Sequence, residues 1–199
     1  NDDYMPDFLY RMCTCINHFV SAVKEIDKND FFKLTVVDWG SKPPLQETLQ
    51  LIEGSSEIVE FINLTEGQIK TISPNLKGIH ATLPHNLAIR RSSAKYFFGM
   101  GADTMLTSSS LLSLYYLCEN SLATPYPMSE TFLMIERKQI PWCFMNSEPN
   151  HLELDRIIKL SSFNFKSDSA SMHWGGGAGV VGMSIALWKE MEGLDERSI

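Results

Sequence analysis

The chain has 199 residues, a length typical of one domain, and its 44% hydrophobic and 21% charged residues argue against a disordered or low-complexity protein. Its 17 Lys and Arg against 24 Asp and Glu give a net charge of −7, so we expect no nucleic-acid partner, because duplex binders normally need a basic field. The longest uncharged stretch, 169–188, contains five glycines and makes a poor spanning helix, so we expect no transmembrane segment in this chain.

Helices and strands alternate in the predicted elements. The opening helix covers 8–26, because its apolar residues recur at spacings of three and four. We then predict a strand over 31–37, a helix from 43 to 54, a strand over 57–62, a helix over 84–95, a strand over 96–98, a helix over 111–118 capped by Thr107 or Ser108, a strand over 131–135 and a long loop over 146–173. This alternation is typical of an α/β domain with a mostly parallel sheet.

Two loops that follow predicted strands carry candidate binding residues, because ligands of such sheets bind at the carboxyl ends of strands. Asp38 can accept a hydrogen bond from a base or ribose, or it can be a turn aspartate before Gly40. Asp103 suits Mg²⁺ or Mn²⁺ bound to phosphate oxygens, or it can be a helix cap or Asx-turn acid. Just upstream, Arg90 and Arg91 can hold a pyrophosphate, although a solvated face is the simpler interpretation of Arg91.

Three segments, in order along the chain, resemble the motifs of GT-A glycosyltransferases of the family 2 type. Residues 36–41, Val-Val-Asp-Trp-Gly-Ser, are similar to that family's first nucleotide-binding loop, usually Asp-Asp-Gly-Ser. Residues 85–103 resemble its signature of an Asn-led helix, a strand and a closing Asp-x-Asp. Residues 187–196 end in Gly-Leu-Asp-Glu and resemble a segment ending in Gly-Phe-Asp-Glu, which is also seen in the galactosyltransferase-like branch.

The resemblance implies a GT-A fold over residues 1–199, with a mostly parallel sheet flanked by helices and without the family's first strand. It implies transfer of a sugar from a nucleotide-diphosphate sugar to a hydroxyl acceptor such as a glycan, inverting and assisted by Mn²⁺ or Mg²⁺. By this resemblance Asp38 binds the base or ribose, Asn86 and Arg90 line the donor side, and Asp103 holds the metal.

The chain departs from the family's pattern at two site positions. Gly101 stands where the first acid of Asp-x-Asp is expected, so metal binding rests on Asp103. Trp39 replaces the second acid of the first loop and can stack on the base instead. Since the family's catalytic base lies downstream of the third motif, no catalytic residue is assigned, and we expect the chain to be a piece of a larger enzyme.

Two other functions are considered. Gly177–Gly182 match the pattern GxGxxG of a flavin or nicotinamide dinucleotide site, although 167–173 do not resemble the strand that should precede it. In the glycosyltransferase interpretation this stretch lies beside the sugar, with His173 and Trp174 as candidate contacts or packing residues. The third hypothesis is an inactive GT-A-like binding module, which the glycine at position 101 favours.

The four cysteines indicate a reducing compartment. None of them forms a CxxC pair, and Cys13 and Cys15 point to different sides of the predicted helix. We therefore expect free thiols in a protein of the cytoplasm or of the cytoplasmic face of a membrane.

Overall fold

The computed structural model describes residues 7–72, 82–119, 127–136, 149–160 and 178–194. Its helices are α1 (Phe8–Glu25), α2 (Leu45–Thr48), α3 (Glu66–Ile72), α4 (Thr82–Arg91), α5 (Ser108–Cys118), α6 (His151–Leu160) and α7 (Ile185–Glu190). Its strands are β1 (Leu34–Asp38), β2 (Val59–Asn63), β3 (Tyr96–Met100), β4 (Leu133–Glu136) and β5 (Ala178–Ser184). Within these ranges no helix is long and apolar enough to cross a membrane.

The strands form two sheets, which corrects the predicted sheet. β1 and β2 pair in parallel, with Val36 opposite Phe61. In the second sheet the order is β3-β5-β4, and β5 is antiparallel to both neighbours. The mixed α/β class is confirmed, but a mostly parallel sheet is wrong for the described strands, because β5 runs back between β3 and β4.

α1 is the centre of the main core. The predicted 3-4 spacing buries one side of this helix, and Val20 and Val23 have no exposed surface. Around it pack buried residues from the β1–β2 side, from α5 and from β5: Phe32, Ile58, Val59, Leu106, Leu111, Leu114 and Val180. α1 therefore joins the two sheets into one hydrophobic cluster.

The helix predicted from 43 to 54 stops after one turn. α2 ends at Thr48, and Leu49 is extended. The side chain of Asn17 explains this, because its Nδ2 donates to the Gln50 carbonyl at 3.0 Å and its Oδ1 accepts from the Ile52 amide at 3.0 Å. A buried amide from α1 thus holds this segment open, and helix propensity is overridden by a long-range contact.

Two helices lie where none was predicted. α6 falls inside the long loop expected over 146–173, and a capping box starts it: Asn150 Oδ1 accepts from the Leu152 and Glu153 amides, while Glu153 Oε2 accepts from the Asn150 amide. α3 follows β2 directly. The predicted cap of α5 is confirmed at Thr107, which accepts from the Ser110 amide.

Candidate functional site

Asp38 ends β1 and organises the loop after it. Its side chain is 2% exposed, with one oxygen accepting from the Ser41 amide at 2.9 Å and the other from the Leu45 amide at 2.8 Å. Each carboxylate oxygen therefore already has a backbone donor. This arrangement matches the turn-aspartate alternative, so any contribution of Asp38 to a base or ribose contact would come through the shape of the loop.

Trp39 and Gly40 lie in that loop, close to α3. Trp39 is half-buried. An added Cβ on Gly40, whose φ is 82°, would lie 2.8 Å from Ile69 Cδ1, so the loop approaches the helix as closely as a glycine allows. Stacking of Trp39 on a base stays a prediction.

Asp103 follows β3 and pairs with a residue that the sequence did not indicate. Arg11 Nη1 lies 2.8 Å from Asp103 Oδ2, and the two side chains are 15% and 38% exposed. Arg11 is in the first turns of α1, 92 residues away along the chain. The loop itself is a tight turn in which the Thr104 amide donates to the Gly101 carbonyl at 3.0 Å.

The residues around Asp103 fit a guanidinium better than a divalent metal. The first acid of the expected motif is Gly101, and Asp103 Oδ2 already carries a cationic partner that competes for the same oxygen. In the ranges that the structure describes, no three His, Cys, Asp or Glu side chains are grouped to hold an ion. A metal bound at Asp103 would have to share this carboxylate with Arg11.

Asn86 connects the second and third motifs. It is 1% exposed; its Nδ2 donates to the Leu194 carbonyl at 2.9 Å, and its Oδ1 accepts from the Leu194 amide at 3.0 Å. Gly193 connects α7 to Leu194. Its φ is 91°, and its amide donates a hydrogen bond to the Trp188 carbonyl. Asn86 therefore holds the backbone at Leu194, and its place on the donor side stays a prediction.

The two arginines at the end of α4 have different surroundings. The Arg90 guanidinium lies 5.9 Å from the centre of the Trp188 ring, within reach of a cation–π contact. Arg91 lines an open cavity of about 530 Å³ formed mainly by α3 and the residues before it: Leu64, Thr65, Gly67, Gln68, Thr71 and Ile72. Arg91 is exposed, as a solvated face would have it, and it borders this open cavity.

The described part of the glycine-rich stretch, 178–182, lies in strand β5. Gly182 lies inside β5, opposite Phe98 of β3 and Leu133 of β4. An added Cβ there would lie 2.5 Å from Phe98 Cε1, so the glycine gives room to an aromatic ring. A dinucleotide fingerprint has its glycines in the turn between a strand and a helix, whereas Gly179 and Gly182 lie within a strand.

Outside the described part of the chain lie the candidate residues His173, Trp174 and Gly177, the acids Asp195 and Glu196 that end the third motif, and the fourth cysteine, Cys143. Among the described ones, the structure brings Asn86 to the third motif and Asp103 to Arg11, whereas Asp38 bonds the backbone of its own loop. It also reveals a pair that the sequence did not suggest: His18 Nε2, 2% exposed on α1, lies 3.2 Å from Asp155 Oδ1 on α6.

Comparison of the chain with protein-family models, with curated proteins and with solved structures gives no match. The motifs and the contacts among them are therefore the features that bear on function.

Proposed function

We propose that this chain belongs to a glycosyltransferase with a GT-A fold of the family 2 type, which transfers a sugar from a nucleotide-diphosphate sugar to a hydroxyl acceptor such as a glycan. In this proposal the loops after β1 and β3 face the donor. The catalytic base is left unassigned.

The observation that supports this proposal most is the contact between two motifs that are far apart in sequence. Asn86 lies near the start of the second motif, and Leu194 lies in the third, 108 residues later. The side chain of one makes two hydrogen bonds with the backbone of the other, and both groups are at least partly buried. Two segments that resemble parts of one family's site are thus joined by a specific buried contact. If the two resemblances were unrelated coincidences, there would be no reason for the segments to contact each other.

The strand ends give a second line of support. The described structure has a parallel β1–β2 pair whose first strand ends in the Asp38 loop, and a strand β3 that ends just before Asp103. Asp38 therefore lies at the carboxyl end of a parallel strand, where α/β domains bind ligands. Asp103 follows the end of a strand that pairs antiparallel with β5. The thiols of Cys13, Cys15 and Cys118 are free, which suits the proposed reducing compartment.

The test combines binding with turnover on the full chain. We expect UDP or GDP to raise the melting temperature more than UMP or GMP, because the diphosphate is the group that the Asp103 loop would face. We also expect slow hydrolysis of a UDP- or GDP-sugar, with inversion at the anomeric carbon. Asp103→Ala should lower this hydrolysis at least tenfold, whereas Asp30→Ala, which changes an exposed turn acid, should not. A chain that binds no nucleoside diphosphate and hydrolyses no nucleotide sugar would contradict the proposal.

The inactive binding module is the second candidate. Gly101 and the Arg11–Asp103 pair favour it, because both remove groups that a metal-assisted transferase would use. Nucleoside diphosphate binding without any hydrolysis or transfer would identify this alternative.

A further inference from the structure

The Arg11–Asp103 pair contains hydrogen-bond donors that have no acceptor in the described structure. Arg11 donates to Asp103 through Nη1 alone. Its Nε and Nη2 are shielded from solvent and have no hydrogen-bond partner among the described residues. Buried donors normally have a partner in the protein, in water or in an ion, so these two nitrogens point to an acceptor that is still to be identified.

The positions of the two nitrogens indicate what that acceptor is. Nε and Nη2 lie on one edge of the planar guanidinium, and their N–H bonds match two oxygens of one phosphate or carboxylate. Nη1, on the other side, is held by Asp103. The carboxylate thus fixes the orientation of the arginine and leaves a bidentate edge for an anion.

We propose that Arg11 binds the diphosphate of the donor and supplies the positive charge that the family resemblance assigns to a divalent metal, so that donor binding needs no metal. This inference rests on the proposed function. It agrees with the poor fit of a metal at Asp103, where Gly101 replaces one acid and Arg11 pairs with the other. Since Nε and Nη2 are shielded from solvent, the groups that cover them must move before an anion can reach this edge.

The first experiment measures binding of UDP, GDP and inorganic pyrophosphate to the full chain by calorimetry, in EDTA and in Mn²⁺. We expect equal affinity in the two conditions. Arg11→Gln should weaken binding about tenfold or more and Arg11→Lys by less, since a charge-assisted bidentate contact is lost or reduced to a point charge. Arg156→Gln, which changes an exposed arginine on α6, is the matched control and should leave the affinity unchanged.

Asp103→Asn gives a second test, because it should affect anion binding in opposite ways if Asp103 orients Arg11 and if Asp103 binds a metal. The amide oxygen can still accept from Arg11, but the negative charge beside the anion is gone, so we expect pyrophosphate in EDTA to bind as well as before or severalfold more tightly. If Asp103 is instead a metal ligand, the same variant weakens binding in Mn²⁺. This variant keeps the proposal testable if Arg11→Gln does not fold.

The outcomes separate this inference from the proposed function. Binding that requires Mn²⁺, unchanged affinity of Arg11→Gln, or weaker binding by Asp103→Asn overturns the role of Arg11 and leaves the glycosyltransferase proposal in place. Pyrophosphate binding that depends on Arg11, without any binding of nucleoside diphosphates, supports the anion site and contradicts the nucleotide donor. If the wild type binds none of the three probes, both are wrong.

Discussion

Replacing Gly182 by Ala tests whether β5 packs closely against β3 at this position. The new Cβ would lie 2.5 Å from Phe98 Cε1 and 3.2 Å from the Phe97 carbonyl oxygen. Carbon atoms in contact are normally about 3.5–4.0 Å apart, so the overlap with the ring is about 1–1.5 Å. The ring cannot move freely, because Phe98 packs against the main core. Overpacking of this kind costs about 1–3 kcal/mol, and we expect a loss of about 2 kcal/mol in the free energy of unfolding, or roughly 4–8 °C in melting temperature.

Urea denaturation followed by circular dichroism gives the measurement. Gly67→Ala is the control, because nothing lies within 4 Å of its Cβ and its place in α3 predicts unchanged or slightly increased stability. A double-mutant cycle with Phe98→Ala identifies the cause: the loss due to Gly182→Ala should largely vanish once the ring is removed. Strictly additive effects, or a Gly182→Ala variant as stable as the wild type, would refute the packing argument.

Three further predictions concern contacts and burial that the sequence did not indicate. Asn86→Ala removes two hydrogen bonds to the backbone after α7 and should lower the free energy of unfolding by about 2–4 kcal/mol. The control Asn63→Ala changes an exposed asparagine and should alter the free energy of unfolding by less than about 0.5 kcal/mol. Equal effects of the two substitutions would argue against a stabilising contact between Asn86 and Leu194. Asn17→Ala frees the segment 49–54, so we expect a loss of about 2–3 kcal/mol and faster proteolysis there, and unchanged cleavage would speak against our explanation of the short α2. Burial raises the pKa of Cys15 to about 12, so only about one molecule in ten thousand carries its thiolate at pH 8. After treatment with an alkylating reagent, mass spectrometry should find Cys15 unmodified in the native protein and alkylated in urea. Rapid alkylation of the native protein would contradict the burial of Cys15.

Elements that local chemistry specifies could be predicted from the sequence. α1 begins at Phe8 as expected and buries the side that its 3-4 spacing defines, because one apolar stripe suffices to bury a helix. α5 begins after Thr107, whose hydroxyl caps it as expected. In both cases the signal and its structural partner lie within a few residues of each other, so no tertiary information is needed.

Elements that depend on distant partners could not be predicted. The segment 49–54 has a helical pattern, but the side chain of Asn17 makes hydrogen bonds with the Gln50 carbonyl and the Ile52 amide. The direction of β5 follows from its pairing with β3 and β4, and nothing in 178–184 alone specifies it. α6 is a different case, because the Asn150–Glu153 capping box is local and can be recognised in the sequence. The polar residues around it favoured the prediction of a loop.

The same division explains the candidate site. The sequence pointed to Asp103 because an acid after a strand is a recognisable local pattern, and the structure places it in such a loop. Arg11 carries no comparable signal: an arginine in the first turns of an amphipathic helix is indistinguishable from a solvated one until the fold brings α1 beside the end of β3. Its contact with Asp103 nonetheless changes the chemistry expected there. A carboxylate without a partner in an acidic protein attracts a metal, whereas a carboxylate already neutralised by a guanidinium orients that guanidinium toward an anion. Whether Asp103→Asn weakens or strengthens pyrophosphate binding therefore decides between two sites that share one aspartate.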